Sequence, residues 1–377
     1  MPFLIPVLAL AIFAQGTSEF MLAGLLLPLS ADLGVDPSTA ALLTSAFAVG
    51  MVVGAPLMAV FASRWRPRQT LVLLLVIFIA AHVIGAVASS FWLLLITRVL
   101  AALANAGFLA IALATVRGIV LPAQTTRAVA VLLAGTTLAT IVGVPAGAML
   151  ANAFGWRSTF WAVVLLCLPA VVALLLDRTL GAVPRSPQID VRGEVAELRR
   201  RPVLVAVVLA VLVNAATFGV FTFLAVIGAD AGVGASWIPL LLAVFGVGAF
   251  LGVAATGRWA ARRARTWVVV GAALTTAVWM LFGLAAGSVP AVFVGALIGG
   301  MLSFAVGSAL IARIVGQAEG APVLGGAYAT AALNLGAVGG PVLAGIGYSA
   351  LGAPGVLFVA AGITAVGVML TPLLRRG

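Results

Sequence analysis

The sequence predicts an all-α membrane protein with twelve transmembrane helices, organised as two repeats of six. Of its 377 residues, 64% are hydrophobic, 8% are charged and 43 are Gly. No soluble domain of this length needs so much apolar surface, and Gly lets helices pack closely in lipid. Polar turns also divide the chain into twelve apolar runs, most of them long enough to cross a hydrocarbon core of ~30 Å.

The polar turns set the predicted helix boundaries. The predicted helices cover residues 3–28, 39–62, 69–88, 91–116, 126–150, 158–176, 203–228, 236–257, 266–286, 290–312, 326–350 and 354–373. The longest polar gap, Asp177 to Arg201, separates two sets of six. We therefore expect an N-terminal bundle at 1–176, a cytoplasmic linker at 177–201 and a C-terminal bundle at 202–377.

The basic residues predict how the chain is oriented. All 20 are Arg, and 18 of them lie in the loops and the C-terminus on one side of the predicted membrane. The positive-inside rule then places both termini and the linker in the cytoplasm. The net charge of +11 would also suit a nucleic-acid-binding protein, but this distribution indicates topology, so no nucleic-acid partner is expected.

Short stretches of the first half recur in the second. Phe47-Ala-Val-Gly50 aligns with Phe245-Gly-Val-Gly248 at an offset of 198 residues. Gly143-Val-Pro145 aligns with Gly339-Gly-Pro341 at an offset of 196 residues. Two parallel six-helix repeats predict a binding site between them near the middle of the membrane, reached by rocking of the two halves.

Glu19 is the only acidic residue well inside a predicted apolar run. A charged, unpaired carboxylate there costs several kcal/mol, so Glu19 should face the protein interior. Arg98 lies at a similar depth in predicted helix 4, ~11 Å from the outer end against ~14 Å for Glu19. We interpret the two residues as proton-coupling groups that contact each other directly or through water. The alternative is a fixed salt bridge, which is a costly way to join helices in lipid.

Polar and aromatic residues near the middle of the membrane predict the substrate site. They are Gln15, Thr17, Ser18, Phe20, Asn105, Phe108, Asn214, Thr217, Phe218, Phe221, Tyr328 and Asn334. Aromatic walls with a few amides suit a mostly apolar, weakly polar ligand, although any single Phe could serve packing alone. The lone His82 is interpreted as a packing residue, with contact to substrate or proton as the alternative.

Two further patterns indicate conformational motifs. Predicted helix 5 carries Gly135, Gly143, Pro145 and Gly147, which would allow close helix approach and a bend. Arg64 and Arg262 occupy matching short basic loops. Such loops could contact the negative ends of helix dipoles, or simply hold positive charge on one side of the membrane.

Enzyme chemistry is not indicated. The sequence has no GxxxxGK[ST] loop for a nucleotide. One His and one Cys cannot build a typical metal site. We therefore expect no enzymatic activity, no cofactor and no metal, and transport driven by an ion gradient.

These features resemble the major facilitator superfamily, and within it the twelve-helix drug:proton antiporters. Arg98 resembles the family's helix 4 arginine, and Gly135 to Gly147 resembles its helix 5 antiporter motif. In the loop after predicted helix 2, Ser63 and Arg66 replace the family's usual Asp and Gly.

A narrower resemblance is to the actinobacterial chloramphenicol exporters, which share this atypical loop. It rests on Gln15-Gly-Thr-Ser-Glu19-Phe-Met-Leu, Leu43-Thr-Ser-Ala-Phe-Ala-Val-Gly50, His82-Val-Ile-Gly85, Ala104-Asn-Ala-Gly-Phe108, Leu302-Ser-Phe-Ala-Val-Gly-Ser308 and Ala329-Thr-Ala-Ala-Leu-Asn334. The resemblance implies a monomeric, proton-coupled exporter of chloramphenicol-like drugs in a bacterial cytoplasmic membrane, working by alternating access. An exporter of sugars or another small metabolite is the first alternative, and a receptor or passive channel is the second.

Overall fold

The computed structural model describes residues 3–61, 66–121, 124–177, 191–259, 264–318, 320–321 and 324–375. Within these ranges the chain is helical, without β-strands. The α-helices are α1 (Leu4–Phe20), α2 (Leu22–Leu33), α3 (Pro37–Phe61), α4 (Pro67–Val87), α5 (Phe91–Ile119), α6 (Thr125–Leu138), α7 (Val144–Phe154), α8 (Arg157–Leu176), α9 (Val191–Leu198), α10 (Arg201–Asp230), α11 (Ile238–Trp259), α12 (Ala264–Leu284), α13 (Val289–Gln317), α14 (Leu324–Leu351) and α15 (Ala353–Leu370).

The predicted fold class is confirmed. Within the described ranges, eleven helical segments are long and apolar enough to cross a membrane, and the bent pair α1–α2 makes a twelfth if it forms one span. If α1–α2 forms one span, the alternating direction of successive spans places Leu4 and Leu370 on one face of the bundle. We call this the terminal face and the other the opposite face. Which face meets the cytoplasm stays a prediction, as does the division into two bundles and a linker.

The first span departs from the predicted continuous helix of residues 3–28. Helices α1 and α2 meet at Met21 with a bend of 51°, and α2 continues past Pro28 to Leu33. Around the break, the N–H of Met21 donates to the carbonyl of Thr17, and the N–H of Gly24 donates to the carbonyl of Met21. The span therefore changes direction at Met21, one residue after Phe20.

The fifth span also contains an irregular turn. A π-helical turn at Ala139–Gly143 connects α6 to α7, directly before Pro145. Proline has no N–H to donate to the carbonyl four residues earlier, here that of Ile141, and single π turns are a common way to absorb such a local irregularity. The predicted bend near Pro145 thus takes the form of a widened turn.

The two sets of six spans contact each other through the half of the membrane nearer the opposite face. One apolar cluster joins residues from both sets, including Ala23, Leu26, Ala41, Ala148, Val220 and Leu242. Ser38 Oγ donates to the carbonyl of Gly345 at 3.1 Å, and Asn152 Nδ2 donates to the carbonyl of Ala235 at 3.0 Å. These contacts hold the two sets of spans together on the opposite face. Arg64 and Arg262 lie outside the described residues.

Asp36 caps the N-terminus of α3 in the loop between the first two spans. Its carboxylate accepts from the Thr39 hydroxyl at 2.5 Å and from the Thr39 N–H at 3.0 Å. These two bonds, the hydroxyl first, hold the pKa of Asp36 below its usual range. A lowered folded-state pKa adds stability above the ordinary Asp pKa, and that stability is lost as the pH falls through the folded value.

We expect Asp36→Ala to lower the stability by about 0.5–1 kcal/mol at neutral pH, because an exposed N-cap is removed. The melting temperature in detergent measures this change. Asp36→Ser keeps a cap acceptor and should melt close to the wild type. Below the pKa of the folded carboxyl the Ala variant and the wild type should converge; a difference that persists there would show that the carboxylate is not the stabilising group.

Candidate transport site

The site begins at the break in the first span, where Arg98 holds Ser18 with two hydrogen bonds. Arg98 Nη1 donates to Ser18 Oγ at 2.8 Å, and Nη2 donates to the Ser18 carbonyl at 2.7 Å. In a continuous helix this carbonyl would accept from the N–H of Leu22. Because the helix breaks at Met21, the guanidinium takes that place. Arg98 is fully buried and also lies over the ring of Phe47, 4.4 Å from its centre.

Ser18 connects Arg98 to His82 on α4. Ser18 Oγ lies 2.7 Å from His82 Nε2, and His82 Nδ1 lies 2.8 Å from the carbonyl of Phe78. The imidazole is packed between the rings of Phe78 and Phe160, with centroids 4.1 and 5.6 Å away. His82 is 1% exposed. The packing role predicted for His82 is present, but the ring is also part of a continuous polar chain to Arg98.

Glu19 is the next residue after Ser18, and its side chain turns to a different partner. Asn105 Nδ2 donates to Glu19 Oε2 at 3.4 Å, a long hydrogen bond. Arg98 exerts an electrostatic influence on Glu19, yet neither of the ion pairs among the described residues joins the two side chains. Of the two forms of contact that we expect, direct or through water, the direct ion pair is not formed in this conformation. Arg98 instead donates through Nη1 and Nη2 to the hydroxyl and the carbonyl of Ser18, while its Nε has no hydrogen-bond partner among the described residues.

An aromatic pocket lies between the two sets of spans, adjacent to the break. It is lined by Phe20, Thr140, Thr217, Phe218, Phe221, Phe245, Ala249 and Phe304. The ring of Phe20 lies 5.8 Å from that of Phe218 and 6.3 Å from that of Phe221. The hydroxyls of Thr140 and Thr217 donate to carbonyls of their own helical turns and keep lone pairs free to accept. Among the described residues, the lining carries no ionisable side chain.

The Gly residues of the helix 5 motif pack against α1. A Cβ atom at Gly135 would meet the Ala9 carbonyl at 2.6 Å, and one at Gly143 would meet Thr17 Oγ1 at 2.1 Å. The carbonyl of Gly147 accepts from Thr159 on α8 at 2.9 Å. Thr140, in the π turn, also lines the aromatic pocket. The motif therefore connects the first span to the pocket wall by close backbone packing.

Three residues predicted for the substrate site lie outside the pocket in the first set of spans. Phe108 is fully buried in the core of that set. Thr17 donates to the Phe13 carbonyl at 2.8 Å and faces Gly143. Gln15 is 1% exposed, and within the described part of the chain neither atom of its amide has a hydrogen-bond partner.

Three more predicted residues lie on α10 and α14. Asn214 Nδ2 donates to the Leu333 carbonyl at 2.6 Å and so joins the two helices. Asn334 donates to the Thr330 carbonyl of its own helix at 3.0 Å. Tyr328 packs on an apolar cluster that includes Leu324 at the start of α14. Of the predicted set, the pocket brings together Phe20, Thr217, Phe218 and Phe221.

The pocket also contains residues that were not predicted as ligand contacts. Thr140, Phe245, Ala249 and Phe304 complete its lining. Phe245 stacks on Phe221 with centroids 4.8 Å apart. Phe245 is the first residue of the stretch that aligns with Phe47-Ala-Val-Gly50. The internal repeat therefore marked this position, although it did not indicate contact with a ligand. Phe304 lies in the Leu302–Ser308 stretch that carries the resemblance to the chloramphenicol exporters. It was not singled out as a ligand contact, because one aromatic residue in an apolar span resembles lipid-facing or packing positions.

A separate polar cluster closes the first set of spans on the opposite face. Asp32 Oδ2 accepts from Arg157 Nη1 at 2.6 Å and from Trp156 Nε1 at 3.1 Å. Arg157 Nη2 also donates to the Ala88 carbonyl at 2.9 Å. These bonds join the ends of α2, α4 and α8. Asp32 therefore has a structural partner at the membrane surface, away from the pocket.

Eleven or twelve apolar spans in the described part of the chain, with an aromatic pocket between them, are typical of a polytopic membrane transporter. Residues 8–254 match the family model described as Major Facilitator Superfamily. The chain belongs to the major facilitator superfamily. This membership confirms the predicted family and the prediction that the chain is a transporter and not an enzyme.

Individual relatives agree with this assignment. The chain is 47% identical to a chloramphenicol resistance protein of Streptomyces lividans, over 91% of this chain and 88% of that protein. It is 32% identical to the inner membrane transport protein YdhP of Escherichia coli strain K12, over 91% of this chain and 90% of that protein. Its fold is similar to the crystal structure of a bacterial homologue of the human lysosomal transporter Spinster, described as inward-facing and unoccupied. That match has a TM-score of 0.73 and 17% identity and covers 99% of this chain and 94% of the other.

Proposed function

We propose that this chain exports uncharged, partly aromatic drugs of the chloramphenicol type in exchange for protons, as a monomer in a bacterial cytoplasmic membrane. The observation that carries the proposal is the position of Glu19. It is the acidic residue directly before Phe20, a wall of the aromatic pocket, and both lie beside the break in the first span. A change in the protonation of Glu19 can therefore act on the pocket through the adjacent residue.

The chemistry of the pocket supports the substrate class. Six of its eight lining residues are apolar, five of them Phe, and the other two offer hydroxyl oxygens as acceptors. Chloramphenicol is uncharged and carries one aromatic ring, two hydroxyls and an amide N–H, so ring stacking and donation to Thr140 and Thr217 suit it. A sugar would need more hydrogen-bonding groups than these two hydroxyls supply. The relative's resistance to chloramphenicol agrees with the same class.

The arrangement around Arg98 supports proton coupling. Protonated Glu19 is neutral and leaves Arg98 on the two oxygens of Ser18, as in this conformation. Deprotonated Glu19 is a nearby anion that competes for the guanidinium, since a buried charge is stabilised by an opposite charge. Transfer of Arg98 from Ser18 to Glu19 would release the carbonyl at the break and let α1 move relative to α2. Proton binding is in this way linked to the shape of the first span.

Contact between the two sets of spans on the opposite face supports alternating access. The contacts at Ser38 and Asn152 hold the two sets of spans together on one face. With both termini in the cytoplasm, as the Arg distribution predicts, this is the conformation closed to the outside. The cavity volume is about 10 Å³ in this conformation, so the pocket would have to widen to admit drug from the terminal face. Drug would leave after the contacts on the opposite face separate.

The direct experiment measures chloramphenicol accumulation in cells that express the chain, with and without an uncoupler. We expect low accumulation that rises to the level of non-expressing cells when the proton gradient is collapsed. Equal accumulation in both kinds of cell, with the protein confirmed in the membrane, would contradict phenicol export and direct a substrate screen to sugars. Low accumulation that does not change when the uncoupler is added would contradict proton coupling.

The lining of the aromatic pocket leads to a prediction about drug binding. We expect Phe218→Ala to weaken chloramphenicol binding roughly tenfold, because loss of a partly exposed aromatic wall removes about 1.4 kcal/mol of apolar contact. Binding to purified protein in detergent measures the change. Phe250→Ala on α11 is the matched control: Phe250 is 49% exposed and does not line the pocket. Equal losses in the two variants would show that the drug binds elsewhere.

A further inference from the structure

We propose that His82 is a positioning residue: it fixes the Ser18 hydroxyl so that both oxygens of Ser18 accept from Arg98, and so sets how readily Arg98 moves to Glu19. The inference rests on the proposed function for its role in coupling. The observation that carries it is the unbroken series of short hydrogen bonds from the carbonyl of Phe78 through His82 and Ser18 to Arg98.

The series has only one consistent direction. The Phe78 carbonyl can only accept, so His82 Nδ1 carries the hydrogen that lies between them. The neutral imidazole then has a bare Nε2, which accepts the hydrogen of the Ser18 hydroxyl. With its hydrogen directed to His82, Ser18 Oγ presents its lone pairs to Arg98 Nη1. Each donor in the series has one acceptor.

A second proton on His82 is incompatible with this arrangement. Nε2–H would have to donate to Ser18 Oγ, which would then accept from two cations, and the hydroxyl hydrogen would have to leave His82 for another acceptor. Two cations would also face each other across a single oxygen atom, with separations of 2.7 and 2.8 Å to it. The ionisable groups that interact electrostatically with the cluster are Glu19 on α1 and Arg98 on α5. His82 acts here as a neutral acceptor and not as a proton carrier.

Loss of the acceptor changes the balance between Ser18 and Glu19. Without His82 Nε2, the hydroxyl of a helical Ser donates to the carbonyl four residues earlier, here that of Ala14, and turns away from its former partner. Arg98 then keeps one of its two bonds to Ser18. The nearby carboxylate of Glu19 becomes the better partner. Ion pairing with Arg98 favours the charged form of Glu19, so a lower pH is needed to protonate the carboxylate.

The test compares His82→Leu with His82→Gln in vesicles that export drug under an imposed pH gradient. Leu has no acceptor, whereas the Gln amide oxygen can accept from Ser18. We expect His82→Leu to move the pH of half-maximal export to lower pH by about one unit, and His82→Gln to restore the wild-type profile. Ser18→Ala should shift the profile in the same direction, and adding His82→Leu to it should cause no further shift. If both His82 variants lose export rate equally and keep the wild-type pH profile, the proposal is overturned and His82 has a packing role only.

A second measurement does not depend on transport. His82 is the sole His in the chain, so ¹⁵N-histidine labelling of protein purified without a histidine tag gives signals from one imidazole. We expect a neutral ring protonated at Nδ1 from about pH 6 to about pH 8, and Ser18→Ala should shift the Nε2 signal alone. A ring protonated at Nε2, or one that gains a proton over this range, would overturn the proposal. Absence of proton-driven export in the wild type together with an Nδ1–H ring would count against the proposed function, while the hydrogen-bond series would stand.

Discussion

Chloramphenicol export by the Glu19→Gln variant should fall to the level of cells that lack the protein, while the variant stays in the membrane and binds drug. Gln has the size of Glu, and its amide oxygen still accepts from Asn105, which donates to Glu19 at 3.4 Å in the wild type. It cannot release a proton, and it does not attract Arg98 as a carboxylate does. The variant should therefore remain in the state in which Arg98 holds Ser18. Uncoupler-sensitive export in membrane vesicles measures the loss.

Two comparisons separate lost coupling from lost folding. Chloramphenicol binding to purified Glu19→Gln in detergent should match that of the wild type, because the lining of the aromatic pocket is unchanged. Asp36→Asn is the matched carboxylate control: Asp36 is exposed in the loop before α3, and Asn keeps a cap acceptor for Thr39. Its export should equal that of the wild type. Proton-driven export at the wild-type rate by Glu19→Gln would mean that another group carries the proton.

The sequence predicted the depth of the candidate site better than its contacts. Counting residues from the helix ends placed Glu19 and Arg98 at similar depths, and the structure brings both side chains to the same polar region. The direction in which a side chain points around the helix axis was harder to predict from the sequence. In spans with apolar residues toward both lipid and core, hydrophobic periodicity carries little directional information. Ser18 therefore became the partner of Arg98 without a sequence signal.

Local irregularities of the helices were the other source of difference. Pro28 and Pro145 were the visible helix-breaking signals, but the first span bends at Met21 and the fifth widens at Ala139–Gly143. Pro145 predicts an irregular turn in the fifth span but not its form. Both irregularities lie at tertiary contacts: Arg98 donates to the Ser18 carbonyl in place of the missing N–H, and the π turn packs against α1 through Gly143. Such contacts join residues far apart in the chain, so local sequence cannot reveal them.

Gly143→Ala should abolish most of the export, because the added methyl group has no space. Its Cβ would lie 2.1 Å from Thr17 Oγ1 and 3.0 Å from Thr17 Cβ. Thr17 cannot simply turn, since its hydroxyl already donates to the Phe13 carbonyl at 2.8 Å. The π turn and α1 would have to separate, at a cost of about 1–3 kcal/mol for overpacking. The shift would also move Thr140 in the pocket wall. Export in vesicles and the melting temperature in detergent measure the two effects.

The internal repeat supplies the matched control, because Gly339 on α14 is the counterpart of Gly143. A Cβ at Gly339 has no heavy atom within 4 Å, so Gly339→Ala should export normally and melt at or slightly above the wild-type temperature. Thr17→Ala removes the atom nearest the new methyl group and should restore part of the export of Gly143→Ala. If instead Gly143→Ala and Gly339→Ala behave alike, or Thr17→Ala brings no recovery, the close packing of the π turn on α1 is not what export requires. Partial rescue by Thr17→Ala would place the contact between the first and fifth spans within the transport cycle, since removal of a hydroxyl can restore function only where that hydroxyl is the obstacle.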